Sequence, residues 1–316
     1  MAQDTEPIQT PTLPLRACSV AEHCQALREI RILPYWWYLG HSRLFGAFSI
    51  PFQDRNGHWW YQVKPGLCWA ADCFAPIDPH QARPPLKKSY LGLQHVVASE
   101  GQANSHLVIN AITDLGSYGE KSIDAKRRNS IRKGFRSCRI EVLSGFDNDT
   151  FDQCRAAWSD LTQRTGWKHA VEKAEFDRTW RELLNCPGVS ILVGRAADSG
   201  QVAGFLVTKT IGDTAYVDTI ASRTEFLKYN VNDAVMYAFL INAQRLPGVR
   251  KAHYAIRSYA ETLEKFKRGL GFEPVPFPAR TVLRGPMEFV LKNFFRDKYR
   301  RMFGLFEPEA PAAPPQ

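Results

Sequence analysis

VRKAHYAIRSYAETLEKFKRGLGF, residues 249–272, is the stretch whose reading decides the fold. Lys251 to Arg257 alternates, with Ala252, Tyr254 and Ile256 on one side, and a period of two predicts a strand. Ser258 and Glu261 have the spacing of a capping box, in which each side chain satisfies a backbone N–H of a helix's first turn. Tyr259, Leu263, Phe266 and Leu270 then fall on one face of a helix. Gly269 and Gly271 supply the left-handed residue that ends it, and Phe272 returns to the core. The stretch is a strand, a tight turn and a capped helix.

The rest of the chain supplies the context. At 316 residues and 44% hydrophobic content it is long enough for two medium domains with real cores. A formal net charge of +9 favours an anionic partner: a phosphate-bearing co-substrate, RNA or a membrane surface. The seven cysteines form no CxxC pair and no zinc set, which points to reduced thiols in the cytoplasm, with no metal. No apolar run is long enough to span a membrane.

Residues 1–18 read as disordered, and Val20, Cys24, Leu27 and Ile30 mark a short helix closed by Pro34. Arg43 to Phe52 and His58 to Val63 read as strands joined across Asn56-Gly57, a strong hairpin signal. Residues 64–90 are rich in proline and read as loop, and strands follow at Leu91–Val97 and His106–Ile112. Ser117 and Glu120 form a second capping box, before a basic helix holding Lys126, Arg128, Arg132 and Lys133. That helix is either an anion-binding face or a solvated linker.

A strand at Arg139–Leu143, two helices, and three strands at 189–196, 202–210 and 214–220 come next. Their short turns require an antiparallel meander. Asn232 is placed to cap a helix to Arg245 that is apolar all round and therefore buried. After the opening stretch come a hairpin of Glu273–Phe277 and Arg280–Arg284, and a basic aromatic helix over Glu288–Phe303. This last helix either lies on a membrane surface or packs on the domain. Residues 307–316 form a Pro/Ala tail.

From Arg139 onward this order of elements resembles the GNAT acyltransferase fold, a mixed, mainly antiparallel sheet flanked by helices in an α+β class. FKRGLGF at 266–272 is similar to the F-K-x-x-L-G-F segment of GNAT-like domains in the branch of the Fem peptidoglycan-bridge transferases. Arg128 to Lys133 is similar to the R-x-x-I-R-K helix between two GNAT-like halves in that branch. The resemblance implies a first, β-rich and reduced GNAT-like half at 19–116, a linker helix at 117–138 and a GNAT-like domain at 139–304, with tails at 1–18 and 305–316.

It also implies transfer of an acyl or aminoacyl group from a thioester or activated ester to an amine or hydroxyl. The donor, acyl-CoA (acetyl-CoA included) or charged tRNA, would lie between two splayed strands, here Thr214–Ile220 and Lys251–Arg257. Its pyrophosphate would sit at the start of the following helix. That loop, Arg223 to Asn232, lacks the glycines of coenzyme A users, and its phosphate-binding candidates are Arg223, Lys228, Tyr229, Asn230 and Asn232. Ser258 and Lys267 are candidates on the other wall.

Such a reaction needs a base and an oxyanion donor. Tyr216 and Asp218 share a strand face, and an Asp218–His253 pair across the splay is a candidate base. The acceptor is a small-molecule or peptide amine, and RNA contact belongs to the basic helix. The second reading is a non-catalytic GNAT-like module that holds an anionic partner on that helix.

Overall fold

The computed structural model describes residues 7–30, 50–166, 171–258 and 260–306. The expected strand over Arg43 to Phe52 lies mostly outside them, as do Pro34, Tyr259 and the Pro/Ala tail. The chain forms two compact units, residues 1–52 with 109–275, and residues 53–108 with 276–316. Segments 19–52 and 53–108, grouped together by sequence, thus belong to different units, and 109–116 returns to the first.

In the first unit, helix α1 is Val20–Ile30, and the long strand β5, Ser105–Ile112, enters with its last residues. Helix α2 (Ala125–Ser137), strand β6 (Cys138–Val142) and helices α3 (Asn148–Thr165) and α4 (Lys173–Asn185) follow. Then come β7 (Val189–Ala196), β8 (Val202–Ile211), β9 (Thr214–Ser222), α5 (Val231–Gln244), β10 (Lys251–Ile256) and α6 (Glu261–Gly269). The strand order is β5-β10-β9-β8-β7-β6. The β7–β8–β9 meander is antiparallel, as its short turns demand.

Each sheet face has its own core. On one, α5 lies against Leu192, Leu206 and Val217, and nine of its fourteen residues are buried in that core because the helix is apolar all round. On the other, α3 and α4 bring Phe151, Phe176 and Trp180 onto Phe205. Trp180 stacks on Phe176 at 4.6 Å and meets Phe205 edge-on at 4.8 Å. Each of these rings contributes roughly 2–3 kcal/mol by burial.

The N-terminal segment is ordered from residue 7, against the expectation of disorder over 1–18. Leu13 and Leu15 are buried in the α5 core. Asn242 fixes the strap from both sides, accepting from Leu13 N and donating to Pro11 O, each at 2.9 Å. Cys18 then bridges to Ile211, and α1 begins with a capping box of Ser19 and Glu22 that the sequence reading passed over.

The second unit holds β2 (Trp59–Lys64), β3 (Leu67–Ala70), β4 (Gly92–Val96) and the far part of β11 (Glu273–Leu283), preceded by the short β1 (Phe52–Gln53). Asn56-Gly57 makes the expected turn between β1 and β2. Strand β3, inside the segment read as loop, pairs with β2 antiparallel and with β4 in parallel. The expected hairpin over 273–284 is one strand: Ala279 to Leu283 pair with β4, and the prolines at 274, 276 and 278 precede that ladder because they lack an N–H to donate. The expected helix over Glu288–Phe303 is two, α7 (Met287–Phe294) and α8 (Arg296–Phe303), broken at Phe295, whose φ of −135° is not helical.

Three caps also differ from expectation. Helix α2 starts at Ala125, capped by Asp124, which accepts from Arg127 N; Ser117 instead donates to Asp114 O. Helix α5 starts after Asn230 in the left-handed conformation (φ 57°), and Asn232 is inside it, donating to Ser222 Oγ. Helix α6 starts after Ala260, and Ser258 Oγ accepts from Ala260 N. In each case the short polar side chain bonds a group other than the one the cap would require.

Candidate functional site

Strands β9 and β10 run parallel at three ladder positions, Lys251↔Thr214, Ala252↔Ala215 and His253↔Tyr216, and the ladder ends there. Each strand carries an irregularity just beyond. In β9, Val217 pairs with Thr208 and Thr219 with Val207, so Asp218 is an extra residue. In β10, pairing with β5 jumps from His253↔Ala111 to Ile256↔Ile109, and Ala255 has a φ of +59°. An extra residue bends a strand. Two of them at one level part β9 from β10, at the position expected for a donor cleft.

On one face of the parting stand Lys209, Tyr216, Asp218 and His253. Lys209 and Tyr216 are ladder partners, as are Tyr216 and His253, so the three side chains project together. The Tyr216 and His253 rings lie 5.1 Å apart, and Lys209 Nζ is 5.5 Å from the Tyr216 ring. Lys209 Nζ is 3.2 Å from Asp218 Oδ1, both largely buried. Burial first, then the positive charges of Lys209 and Lys267, push the His253 imidazole down to about 3. The imidazole is therefore neutral near pH 7 and a weak base. Lys209 thus joins the expected pair of Asp218 and His253, as an ion-pair partner of Asp218 beside a neutral His253.

Lys209 was missed by sequence reasoning, although it left a signal. It is the one charged residue in VAGFLVTKTI, a strand buried along its whole length. A small pocket adjoins the pair, walled by Leu27 of α1, Leu183 of α4, Val189 and Val207. His23 of α1 closes it, donating from Nδ1 to Pro187 O at 2.9 Å. Burial, with Lys209 nearby, holds His23 down to about 4.

On the other face, behind Tyr254, the buried side of α6 is charged. Glu264 Oε1 accepts from Lys267 Nζ and Ser258 N at 2.9 Å and from Asn110 Nδ2 at 3.3 Å. Lys267 Nζ lies 5.2 Å from the Tyr254 ring. Lys267 is 1% exposed while Leu263 is 39% exposed, so the helix is turned away from its expected apolar stripe. Glu264 Oε2 and Asn110 Oδ1 are buried acceptors without a hydrogen-bond partner among the described residues. Leaving such groups unmet costs stability, so they mark a place where a donor is expected.

Solved structures share the fold over most of the chain. FemX matches with a TM-score of 0.52 at 10% identity, over 91% of this chain and 100% of its own. The C-terminal domain of a putative lysylphosphatidylglycerol synthetase from Agrobacterium fabrum matches at 0.51 and 12% identity, over 86% of this chain and 97% of its own. A conserved protein of unknown function from Bacteroides thetaiotaomicron matches at 0.54 and 10%, over 86% and 100%. The chain has a GNAT-like fold. No protein-family model and no curated protein matches the sequence.

The GNAT-like fold gives the start of α5 a particular interest, because a helix start after the first splayed strand is a ready anion site. Here an acid of the chain occupies it. Asp233, in the first turn of α5, is buried and pairs with Arg127 of α2 at 2.6 Å. Burial raises its carboxyl above the usual range, and Arg127 opposes that shift. Gly134 lets α2 lie directly on this helix start: a Cβ there would be 2.7 Å from Ala234 Cβ and 2.8 Å from Asn230 O.

The expected phosphate-binding side chains are engaged with the chain itself. Arg223 pairs with Glu225 at 2.5 Å and donates to Gln201 at 3.1 Å. Tyr229 OH donates to Asp198, and Lys228 lies over the Tyr229 ring at 5.4 Å. Asn230 makes the left-handed turn and no side-chain cap. The basic helix α2 is similar. Arg128 donates to the carbonyls of Glu120 and Ile123, and Arg132 pairs with Glu120 at 2.8 Å. Lys126 and Lys133 are exposed. Among the described residues no group of His, Cys, Asp and Glu has the arrangement of a metal site, and no helix is long and apolar enough to cross a membrane. All seven cysteines are thiols.

Proposed function

We propose that this chain is an aminoacyl transferase that takes its acyl group from an oxygen ester such as charged tRNA and passes it to an amine, at the parting of β9 and β10. The observation that carries the donor choice is Asp233. The buried Asp233–Arg127 pair at the start of α5, with α2 packed on it at Gly134, occupies the place where a coenzyme A pyrophosphate would be held. The unmet acceptors Glu264 Oε2 and Asn110 Oδ1 favour a donor whose acyl group carries an ammonium.

The chemistry is direct attack. The acceptor nitrogen adds to the ester carbonyl carbon, negative charge develops on the carbonyl oxygen, and the C–O bond to the donor's hydroxyl breaks as the amide forms. The leaving oxygen takes the proton that the amine gives up. Lys209 and Lys267, each held by its own carboxylate beside a neutral His253, are the ammonium donors offered to that oxyanion. Tyr216 and the His253 imidazole orient the reacting groups, and Asp218 holds Lys209 in place. Thiols throughout fit a cytoplasmic setting, where charged tRNA is found.

The second reading, an anion-binding module working through α2, is less favoured because Arg128 and Arg132 already serve the chain's own carbonyls and Glu120. A thermal-shift series separates the donors. Charged tRNA is expected to raise the melting temperature more than uncharged tRNA, and acetyl-CoA and longer acyl-CoAs to leave it unchanged. A shift with an acyl-CoA and none with charged tRNA would overturn the donor assignment.

A further inference from the structure

The α7–α8 helix pair of the second unit has no part in the reading above, and its surface is unusual. Residues 292–298, KNFFRDK, are all exposed. Phe289 is 64% exposed, Phe294 71%, Phe295 46% and Leu305 51%, half of the large apolar side chains exposed to this degree among the described residues. The Phe289 and Phe294 rings meet at 6.4 Å, so they form one apolar knob. Contiguous exposed apolar surface on a soluble chain marks a contact site. Lys292, Arg296 and Lys298 alternate with these rings, and Lys298 Nζ lies 4.7 Å from the Phe295 ring.

We propose that this tip docks on an anionic lipid surface, with Phe289, Phe294 and Phe295 entering the headgroup–acyl boundary and the flanking cations meeting lipid phosphates. Charge selects the occupant. Between Arg284 and Arg301 there are six cations against the carboxylates of Glu288 and Asp297 alone, which suits an anionic surface. Apolar rings and cations on the same short helices are the pattern of an interfacial anchor. A nucleic-acid duplex would engage the cations and leave the rings in water. A single strand would need ring faces open along a groove, whereas here the two outer rings pack edge-on at 70° on a convex break.

The tip is also held out from the unit. Its entry is fixed by Arg284 N donating to Leu91 O at 2.9 Å, and its exit by Gln94 Nε2 donating to Met302 O at 2.5 Å. Gly304, at a φ of +69°, lies so close to His106 that a Cβ would fall 2.4 Å from the His106 carbonyl oxygen. Both ends are thus tied to β4 and β5, and residues 292–298 between them are exposed.

Co-sedimentation of the full chain with phosphatidylglycerol/phosphatidylcholine vesicles tests this, with pure phosphatidylcholine vesicles as control. Binding to the anionic vesicles is expected, and raised salt should weaken it. Lys292→Glu with Arg296→Glu and Lys298→Glu should lower the partition coefficient by at least about tenfold. Phe294→Ser with Phe295→Ser should lower it by a similar factor at unchanged charge, and F294W should show a blue-shifted emission on the vesicles. All these positions are exposed, so the melting temperature should not move. No sedimentation with anionic vesicles at low salt would overturn the proposal. So would loss of tRNA binding or of a dimer, in place of vesicle binding, in the phenylalanine variants. Transfer activity in solution is expected to be unchanged in both sets, which separates this proposal from the one on the cleft.

Discussion

Lys209 and Asp218 are the residues on which the cleft's electrostatics turn. Their side chains are 8% and 13% exposed, so each depends on the other for charge compensation. Lys209→Met removes the cation beside a largely buried carboxylate and should cost about 3–5 kcal/mol in chemical denaturation. Adding Asp218→Leu to Lys209→Met should return a good part of that loss, because the stranded charge is gone. A double variant no more stable than Lys209→Met would show that the two do not act as a pair. His23 gives a second test through pH. Its folded value of about 4 lies below its ordinary 6.5, so as pH falls the unfolded chain takes up the proton first. The neutral ring's stability contribution is complete above pH 6.5 and lost on the way to pH 4, at roughly 3 kcal/mol. His253 acts in the same direction, with a folded value of about 3. The acid loss of stability in His23→Gln, followed from pH 7 to 4, should therefore be shallower than in the parent; an identical slope would remove His23 from the account. Of these residues, Tyr216, Asp218 and His253 were legible in the sequence from strand alternation. Lys209 was legible only as the lone charge in an otherwise uncharged strand, and Glu264 was not, because it lies off the helix's expected apolar stripe.

At the scale of elements, the packing of α2 on α5 covers the start of that helix. It depends on Gly134, where a Cβ would meet Ala234 Cβ at 2.7 Å. Gly134→Ala should cost about 1–3 kcal/mol by overpacking, measured by urea unfolding. Gly145→Ala, with nothing within 4 Å of its new Cβ, should be near neutral by the same measurement. Equal effects at the two positions would mean that the helix contact is looser than described. The order of strands and helices from Arg139 to Phe272 was readable because long apolar periods and short turns fix it. The helix starts were less so. Ser117, Asn232 and Ser258 all look like caps, yet each bonds a different group. The strand β11 was read as a hairpin because three prolines imitate a turn, while its ladder to β4 is a long-range pairing with no local trace.

Over the whole molecule, the net charge of +9 divides between two tasks. Part is used within the chain, as Arg127, Arg128 and Arg132 tie α2 to the elements around it. Part is displayed, most densely around the projecting Phe294 and Phe295. The interleaving of the two compact units could not be read in sequence order, because β5 and β11 each pass from one unit into the other. The central claim is that the parting of β9 and β10 transfers an aminoacyl group from an oxygen ester. Its most direct test is a single-turnover assay offering label from a pool of charged tRNA, or from acetyl-CoA, to a panel of amine acceptors. The account predicts label on an amine from charged tRNA, none from acetyl-CoA, and at least about a hundredfold slower transfer in Lys267→Met, as expected when an oxyanion partner is removed. Transfer from acetyl-CoA, or transfer from charged tRNA at an unchanged rate in Lys267→Met, would contradict it.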